Sequence, residues 1–296
     1  MPKKIETPIN ITIMSVGGRG ANVMERLTHI ALPNIRLVAV GTKGKTFDAL
    51  VLKEKIELPV SKEDAREKIT EHQGEIQSIL EKTDILFLLG NSSGAESAVL
   101  CDEIAKQARA QNVLSFFIGA TPFAFEGKVK QTLSEKNLAM LNASVDGVLT
   151  IESEKFFASN TTAQDSLTKV DQTIVGMIGA IVDLVKECGL VNVDFADLKS
   201  TVENAGAVFF NSISVPRTDI ETIGKRLFSE TCLRQSVQQL QKALYVIYGG
   251  ADLLMEEVSA IGKMIADAAG DDARIIFGVT DEKRRSDEVR VVLIGA

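Results

Sequence analysis

Three features of the sequence predict an α/β chain built on a parallel sheet. Short, nearly continuous apolar runs alternate with longer helical patterns from residue 10 to 151. Glycine-rich turns close several of these runs. One long apolar helical stretch, 163–188, separates them from a second set of strands and helices. Strands apolar on both faces belong to sheets covered by helices on both sides. The predicted class is a Rossmann-like parallel sheet with helices on both faces, a long central helix, and a second, smaller α/β domain with a mixed sheet. Ligands of such sheets sit at the carboxyl ends of the strands.

The elements follow in order. An apolar run over 10–16 ends in Gly17-Gly18-Arg19-Gly20, and a helical pattern continues to about residue 31. A second strand over 35–40 ends in Gly41-Thr42-Lys43-Gly44-Lys45. Residues 53–82 are charged and read as helical, with Ile69, Ile76 and Ile79 on one face and no glycine before Gly74. Strands over 84–89, 113–118 and 145–151 alternate with helices over 94–110 and from about 127 to 141. The stretch 163–188 places Leu167, Val170, Ile174, Ile178, Ile181 and Val185 at helical spacing, which suits a buried central helix. Beyond Val202 the pattern predicts a strand over 207–215, a helix over 218–228, a strand over 243–248, a helix over 253–269, and strands over 273–279 and 288–294. The predicted boundary is the turn 189–197, giving domains 1–188 and 189–296. The last strand stops two residues before Ala296, and no flexible C-terminal tail is expected.

Composition narrows the function. Lys and Arg number 33 and Asp and Glu 40, a net charge of -7, whereas phosphate-backbone binding needs a dense basic face. Nucleic acid is not an expected partner. Cys101, Cys188 and Cys232 are far apart and read as reduced thiols of a cytoplasmic protein. With only His29 and His72, a His-rich metal site and a Ser-His-Asp site are disfavoured, and no metal site is expected. No secretory h-region and no bilayer-length apolar run is present, so a membrane is expected to be reached only through adaptors.

Two turns carry the chemistry. Gly17, Gly18 and Gly20, with Asn22, lie between the first strand and first helix, where backbone N–H groups and the helix dipole can meet a phosphate; the alternative is a tight turn alone. The segment GLVNVDFAD, 189–197, places Asn192, Asp194 and Asp197 in a polar turn after the long helix. Such carboxylates can hold a cation or orient a water. Equally, Gly189 suits a helix C′ position and Asp194 an N-cap.

GGRGAN (17–22), TPFAFEG (121–127) and GLVNVDFAD (189–197) occur in the order and at roughly the spacing seen in FtsZ, the bacterial and archaeal relative of tubulin, and residues 275–296 resemble the closing strands of its second domain. The resemblance covers nearly the whole chain. It implies a GTP-binding domain and an assembly domain that stack head to tail into filaments. The turn after the central helix would cover the next subunit's nucleotide, and Asn192, Asp194 and Asp197 would act as catalytic residues that position the attacking water. It further implies nucleotide contacts from Asn22 and Asp171, with Asp171 on the guanine edge, and from Glu126 near the ribose. Lys130 stands where the family has an arginine, and Leu167 where an aromatic stacks on the base. GTP or GDP, with magnesium only alongside nucleotide, is the implied cofactor.

The sequence departs from the family at its main phosphate loop. Where FtsZ has GGGTGTG, this chain has Gly90-Asn91-Ser92-Ser93-Gly94-Ala95-Glu96, leaving Ser92, Ser93 and Gly94 as the candidate phosphate contacts. Ser93 and Glu96 have capping-box spacing, worth roughly 1 kcal/mol as a cap. A carboxylate about 6 Å from a phosphate oxygen would cost roughly 3 kcal/mol at an effective dielectric of 20. The alternative is that Glu96 swings away and the pocket survives. The segment 41–46 replaces the family's Asn-Thr-Asp turn and reads as a turn with solvated lysines, or as Lys43 or Lys45 replacing phosphate contacts. The expected function is a divergent filament protein with weakened or lost GTP binding and hydrolysis. The alternatives are an active cell-division GTPase with a remodelled pocket and a non-polymerising partner of a conventional FtsZ paralogue.

Overall fold

A computed structural model of the chain describes residues 9–30, 34–58, 65–157, 162–186, 189–235, 240–281 and 287–296. Cys188, residues 59–64 of the expected charged helix and residues 282–286 of the C-terminal segment lie outside them.

The first sheet holds seven parallel strands in the order β3-β2-β1-β4-β5-β6-β7. These are β1 (Ile11–Val16), β2 (Ile35–Thr42), β3 (Glu54–Leu58), β4 (Ile85–Leu89), β5 (Leu114–Ala120), β6 (Gly147–Ile151) and β7 (Gly206–Ala207). Helices α1 (Gly17–Thr28), α2 (Lys45–Ala49), α3 (Ala65–Glu71), α4 (Gln73–Leu80), α5 (Ala95–Ala110) and α6 (Lys128–Ser144) link the strands as far as β6. The strand order reverses between β1 and β4, and ligand crevices open at such a switch point. The second sheet, β10-β9-β11-β8, comprises β8 (Phe209–Pro216), β9 (Lys242–Gly249), β10 (Arg274–Asp281) and β11 (Glu288–Gly295). It is mixed, since β10 runs parallel to β9 while β11 is antiparallel to β9 and β8. Its outer face is covered by α9 (Ile223–Ser229) and α10 (Met255–Ala269).

The central helix α7 (Ala163–Lys186) lies between the two sheets. Val170, Ile174, Ile178, Ile181 and Val185 join a core that includes Phe87 and Phe116 of the first sheet and Leu244, Val246 and Val292 of the second. Each fully buried Ile contributes roughly 1.5–3 kcal/mol relative to exposure, so the stripe fixes α7 against both sheets. Leu86, Leu88 and Phe117 point the other way, onto α4 and α5.

Two expectations need correction. The span 53–82 is not wholly helical, because Glu54–Leu58 forms the edge strand β3. Ile56 and Leu58 are buried, and Arg36 of β2 grips Glu54 through both carboxylate oxygens, Nε at 2.9 Å from each. An edge strand needs one apolar face and tolerates charge on the other, which hid this one among lysines and glutamates. The expected strand over 207–215 is also divided. Gly206–Ala207 pairs with Gly147 and Val148 in the first sheet, and Phe209–Pro216 pairs with β11 in the second.

Candidate functional site

The ends of β1 and β4 and the loops that follow them are packed together. At the start of α1, Gly17 has φ of 73°, open to glycine at little cost. A Cβ on Gly20 would stand 2.2 Å from the Leu89 carbonyl oxygen, so this glycine serves helix–strand packing. Gly18 faces open space and Asn22 is exposed. Ser97, which sequence reasoning did not single out, joins the two loops: its hydroxyl donates to the Val16 carbonyl at 2.9 Å and accepts from the Asn91 N–H at 3.2 Å.

The Ser93–Glu96 capping box does not form. Gly94 is the N-cap of α5, and no side chain caps that end. The amide oxygen of Asn91 takes both the N–H and the hydroxyl of Ser93, at 3.0 and 2.9 Å, because two residues is the reach of an Asx turn. Glu96 is drawn away to Lys68 on α3 at 3.0 Å, so its charge does not face the loop. Ser92 is fully buried; its hydroxyl donates to the Ala120 carbonyl at 2.7 Å and accepts from Ser134 at 2.8 Å. Asn137 donates to the Ser92 carbonyl at 2.8 Å, and the Gly94 N–H bonds the Asn91 carbonyl. Much of this loop's donor capacity is satisfied internally. In the 41–46 turn, Lys43 pairs with Glu57 of β3 at 3.0 Å, and Lys45 opens α2.

Beside these loops is a cavity of about 350 Å³ lined by Arg19, Phe123, Phe125, Glu126, Phe157, Ala163, Ser166 and Leu167. Leu167 and Glu126 thus lie at one site. Glu126 accepts from the Phe123 N–H at 2.9 Å and from Lys130 at 2.8 Å. Partial burial pushes its carboxyl up, but Lys130, the Phe123 N–H and nearby Arg19 outweigh it and hold the group below its ordinary value. Asp171, buried on α7, faces Arg19 at 3.3 Å and Arg26 at 3.5 Å. Burial pushes its carboxyl up, and the two guanidinium groups only partly reverse that. Sequence reasoning passed over Arg19 and Arg26; the signal for Arg19 was a charged residue inside a glycine loop, and for Arg26 its place seven residues on, on the same helix face.

The turn after α7 lies at the opposite end of that helix, whose 24 residues span about 36 Å. Gly189 N–H donates to Asn192 Oδ1 at 2.7 Å. Asp194 caps helix α8 (Phe195–Val202) in a reciprocal box with Asp197: the Asp197 N–H reaches Asp194 at 2.9 Å and the Asp194 N–H reaches Asp197 at 3.1 Å. Each carboxylate keeps one oxygen outside this exchange. The turn is pinned to β10, where the Leu190 N–H bonds the Val279 carbonyl at 2.7 Å. Lys199 of α8 reaches Asn112 at 2.7 Å, placing this end beside the amino-terminal ends of the strands. Asn192, Asp194 and Asp197 therefore do not meet the glycine loops within one chain. Among the described residues, no acidic, His or Cys group of three or more forms a metal site, and no helix is long and apolar enough to cross a membrane.

Residues 221–296 match the family model of the FtsZ family C-terminal domain. The whole chain is similar to several solved structures. An empty FtsZ dimer of M. jannaschii is 22% identical with a TM-score of 0.84, over 98% of this chain and 88% of that one. A GTPgS-bound protofilament of CetZ2 from Haloferax volcanii is 16% identical with a TM-score of 0.81, over 97% and 92%. A GDP-bound monomer of CetZ1 from the same organism is 17% identical with a TM-score of 0.81, over 97% and 94%. The chain thus has the two-domain α/β fold of these FtsZ and CetZ structures, at low sequence identity to them, and its residues 221–296 match the family model of the FtsZ C-terminal domain.

Proposed function

We propose that this chain is a cytoskeletal protein that assembles head to tail, the 189–197 turn of one copy seating over the strand-end face of the next, with weakened guanine-nucleotide binding. One observation carries the reading: the acidic turn and the strand-end cavity sit at opposite ends of α7, so only a second copy brings them together. Both ends expose apolar side chains, Phe125, Val129 and Phe157 at one and Leu190 and Val191 at the other, as a buried contact needs. The solved relatives include a dimer and a protofilament, which supports self-association by the same fold. Weakened binding is supported by the internal satisfaction of Ser92, Ser93 and Gly94 and by the arginines on Asp171. On this reading residues 189–296 form the assembly domain, the filament is cytoplasmic, and membranes are reached through adaptors.

Sedimentation and electron microscopy with and without GTP test this. The wild type should pellet without nucleotide. Leu190→Asp and Val129→Asp should each abolish pelleting, and their mixture should give dimers but no filaments, because each retains one good face. Wild type that stays monomeric at every concentration and nucleotide state would refute assembly.

A second reading, an active GTPase in cell division with a remodelled pocket, has one observation in its favour: the α5 amino terminus carries no side-chain cap and Glu96 faces Lys68, leaving helix N–H groups for an anion. Magnesium would then accompany the nucleotide. GTP-dependent pelleting with phosphate release selects this reading. Absence of pelleting together with a changed GTPase rate of a conventional FtsZ on mixing selects a non-polymerising partner.

A further inference from the structure

Arg19 and Arg26 are seven residues apart on α1 and so share one face, which meets Asp171 on α7. Their settings differ. Arg26 also donates to Thr168 at 3.2 Å, one turn before Asp171, so α7 holds it twice. Arg19 reaches the carboxylate at 3.3 Å and lines the cavity, yet its buried Nε and Nη2, and Asp171 Oδ1, make no hydrogen bond among the described residues. A buried ion pair without satisfied donors and acceptors returns little against the cost of desolvation, so a better-fitting donor can displace it. A guanidinium offers a carboxylate coplanar N–H groups. The N1–H and N2–H₂ edge of guanine offers the same pattern from a flat ring, and Phe123, Phe125, Phe157 and Leu167 supply apolar walls for such a ring.

We propose that Arg19 is an internal stand-in for a guanine edge: it holds Asp171 and closes the base end of the cavity, and removing its guanidinium opens the site to guanine nucleotides. The proposal rests on reading this cavity as the nucleotide-type site. It makes Arg19 the specificity-determining residue of that site and Asp171 the group it masks. Arg26 faces Oδ2 and is held by Thr168 as well, whereas Arg19 faces Oδ1, so removing Arg19 uncovers Oδ1 for the N–H groups of the ligand.

The test is titration of fluorescent mant-GDP and mant-ADP into wild type, Arg19→Ala, Arg19→Gln and the double variant Arg19→Ala/Asp171→Asn, below the assembly concentration. Arg19→Ala should bind mant-GDP at least tenfold more tightly than wild type, with no comparable gain for mant-ADP, and the double variant should lose the gain. Arg19→Gln keeps the aliphatic stem against the cavity wall and should show the same direction, so it carries the test if the alanine variant does not fold. Unchanged mant-GDP affinity in the folded variant, an equal gain for mant-ADP, or a gain that survives loss of the Asp171 carboxylate would overturn the proposal. Binding is measured on monomers, so a wild type that never pellets defeats the assembly reading while this outcome stays readable.

Discussion

The backbone of Gly189 runs so close to β10 that a Cβ on it would stand 2.3 Å from the carbonyl oxygen of Val279 and 2.6 Å from the Thr280 hydroxyl. The neighbouring hydrogen bonds from Leu190 and Val191 to the same carbonyl depend on that approach. The glycine at this turn is thus a spacer between the central helix and the second sheet.

Gly189→Ala should therefore displace the turn from β10 and cost about 1–3 kcal/mol, the usual range for overpacking against backbone. Urea unfolding checks the stability change. Pelleting should fall with it, because the exposed Leu190 leaves its position. A variant as stable as wild type would show that the turn is not fixed by this contact.

The glycine loop separates packing from ligand contact. Gly20→Ala meets the Leu89 backbone oxygen at 2.2 Å and should destabilise by about 2 kcal/mol or more. Gly18→Ala meets nothing within 4 Å and should be neutral, or stabilising by up to about 1 kcal/mol. Thermal melts of the two variants should diverge, and equal melting temperatures would contradict the geometry.

Ser92 is a structural group in this fold. Ser92→Ala strips the Ala120 carbonyl and the Ser134 hydroxyl of their buried partner and should cost about 1–3 kcal/mol in denaturant unfolding. A loss below about 0.5 kcal/mol would mean that a water replaces the hydroxyl.

At the other end of α7, Asp194→Ala should cost about 0.5–2 kcal/mol by removing the α8 cap. Asp197→Asn keeps an oxygen for the Asp194 N–H and should change stability by less than about 0.5 kcal/mol. Any effect of Asp197→Asn on assembly or phosphate release is then assigned to charge rather than to folding.

Glu126 gives a pH signature. Its folded pKa is held below the ordinary 4.5, so its contribution to stability is present above that value and is lost as pH falls through the folded pKa. The melting temperature of wild type should exceed that of Glu126→Gln at pH 7, and the difference should shrink below pH 4.5. A difference that stays constant down to pH 3 would remove Lys130 and the Phe123 N–H as the cause.

What the sequence determined by itself is what short-range spacing carries. Ile174, Ile178, Ile181 and Val185 specify α7, nearly continuous apolar runs specify the inner strands of the first sheet, and Asp194 is legible as the N-cap of α8. Capping geometry is local, so it could be read from residues alone. The capping-box spacing of Ser93 and Glu96 misled, because Asn91 is nearer to Ser93 and Lys68, 28 residues upstream, competes for Glu96. Tertiary structure alone decided the rest. Ser92 finds its partners 28 and 42 residues away, Ser97 reaches Val16 across 81, and strand-length alternation cannot say that 207–215 changes sheets at Val208. Most of all, Arg19 and Asp171 are 152 positions apart, and only the packing of α1 on α7 brings the guanidinium to the carboxylate. Charge pairing across a buried interface depends on where two helices cross, and no local period in the chain encodes that crossing.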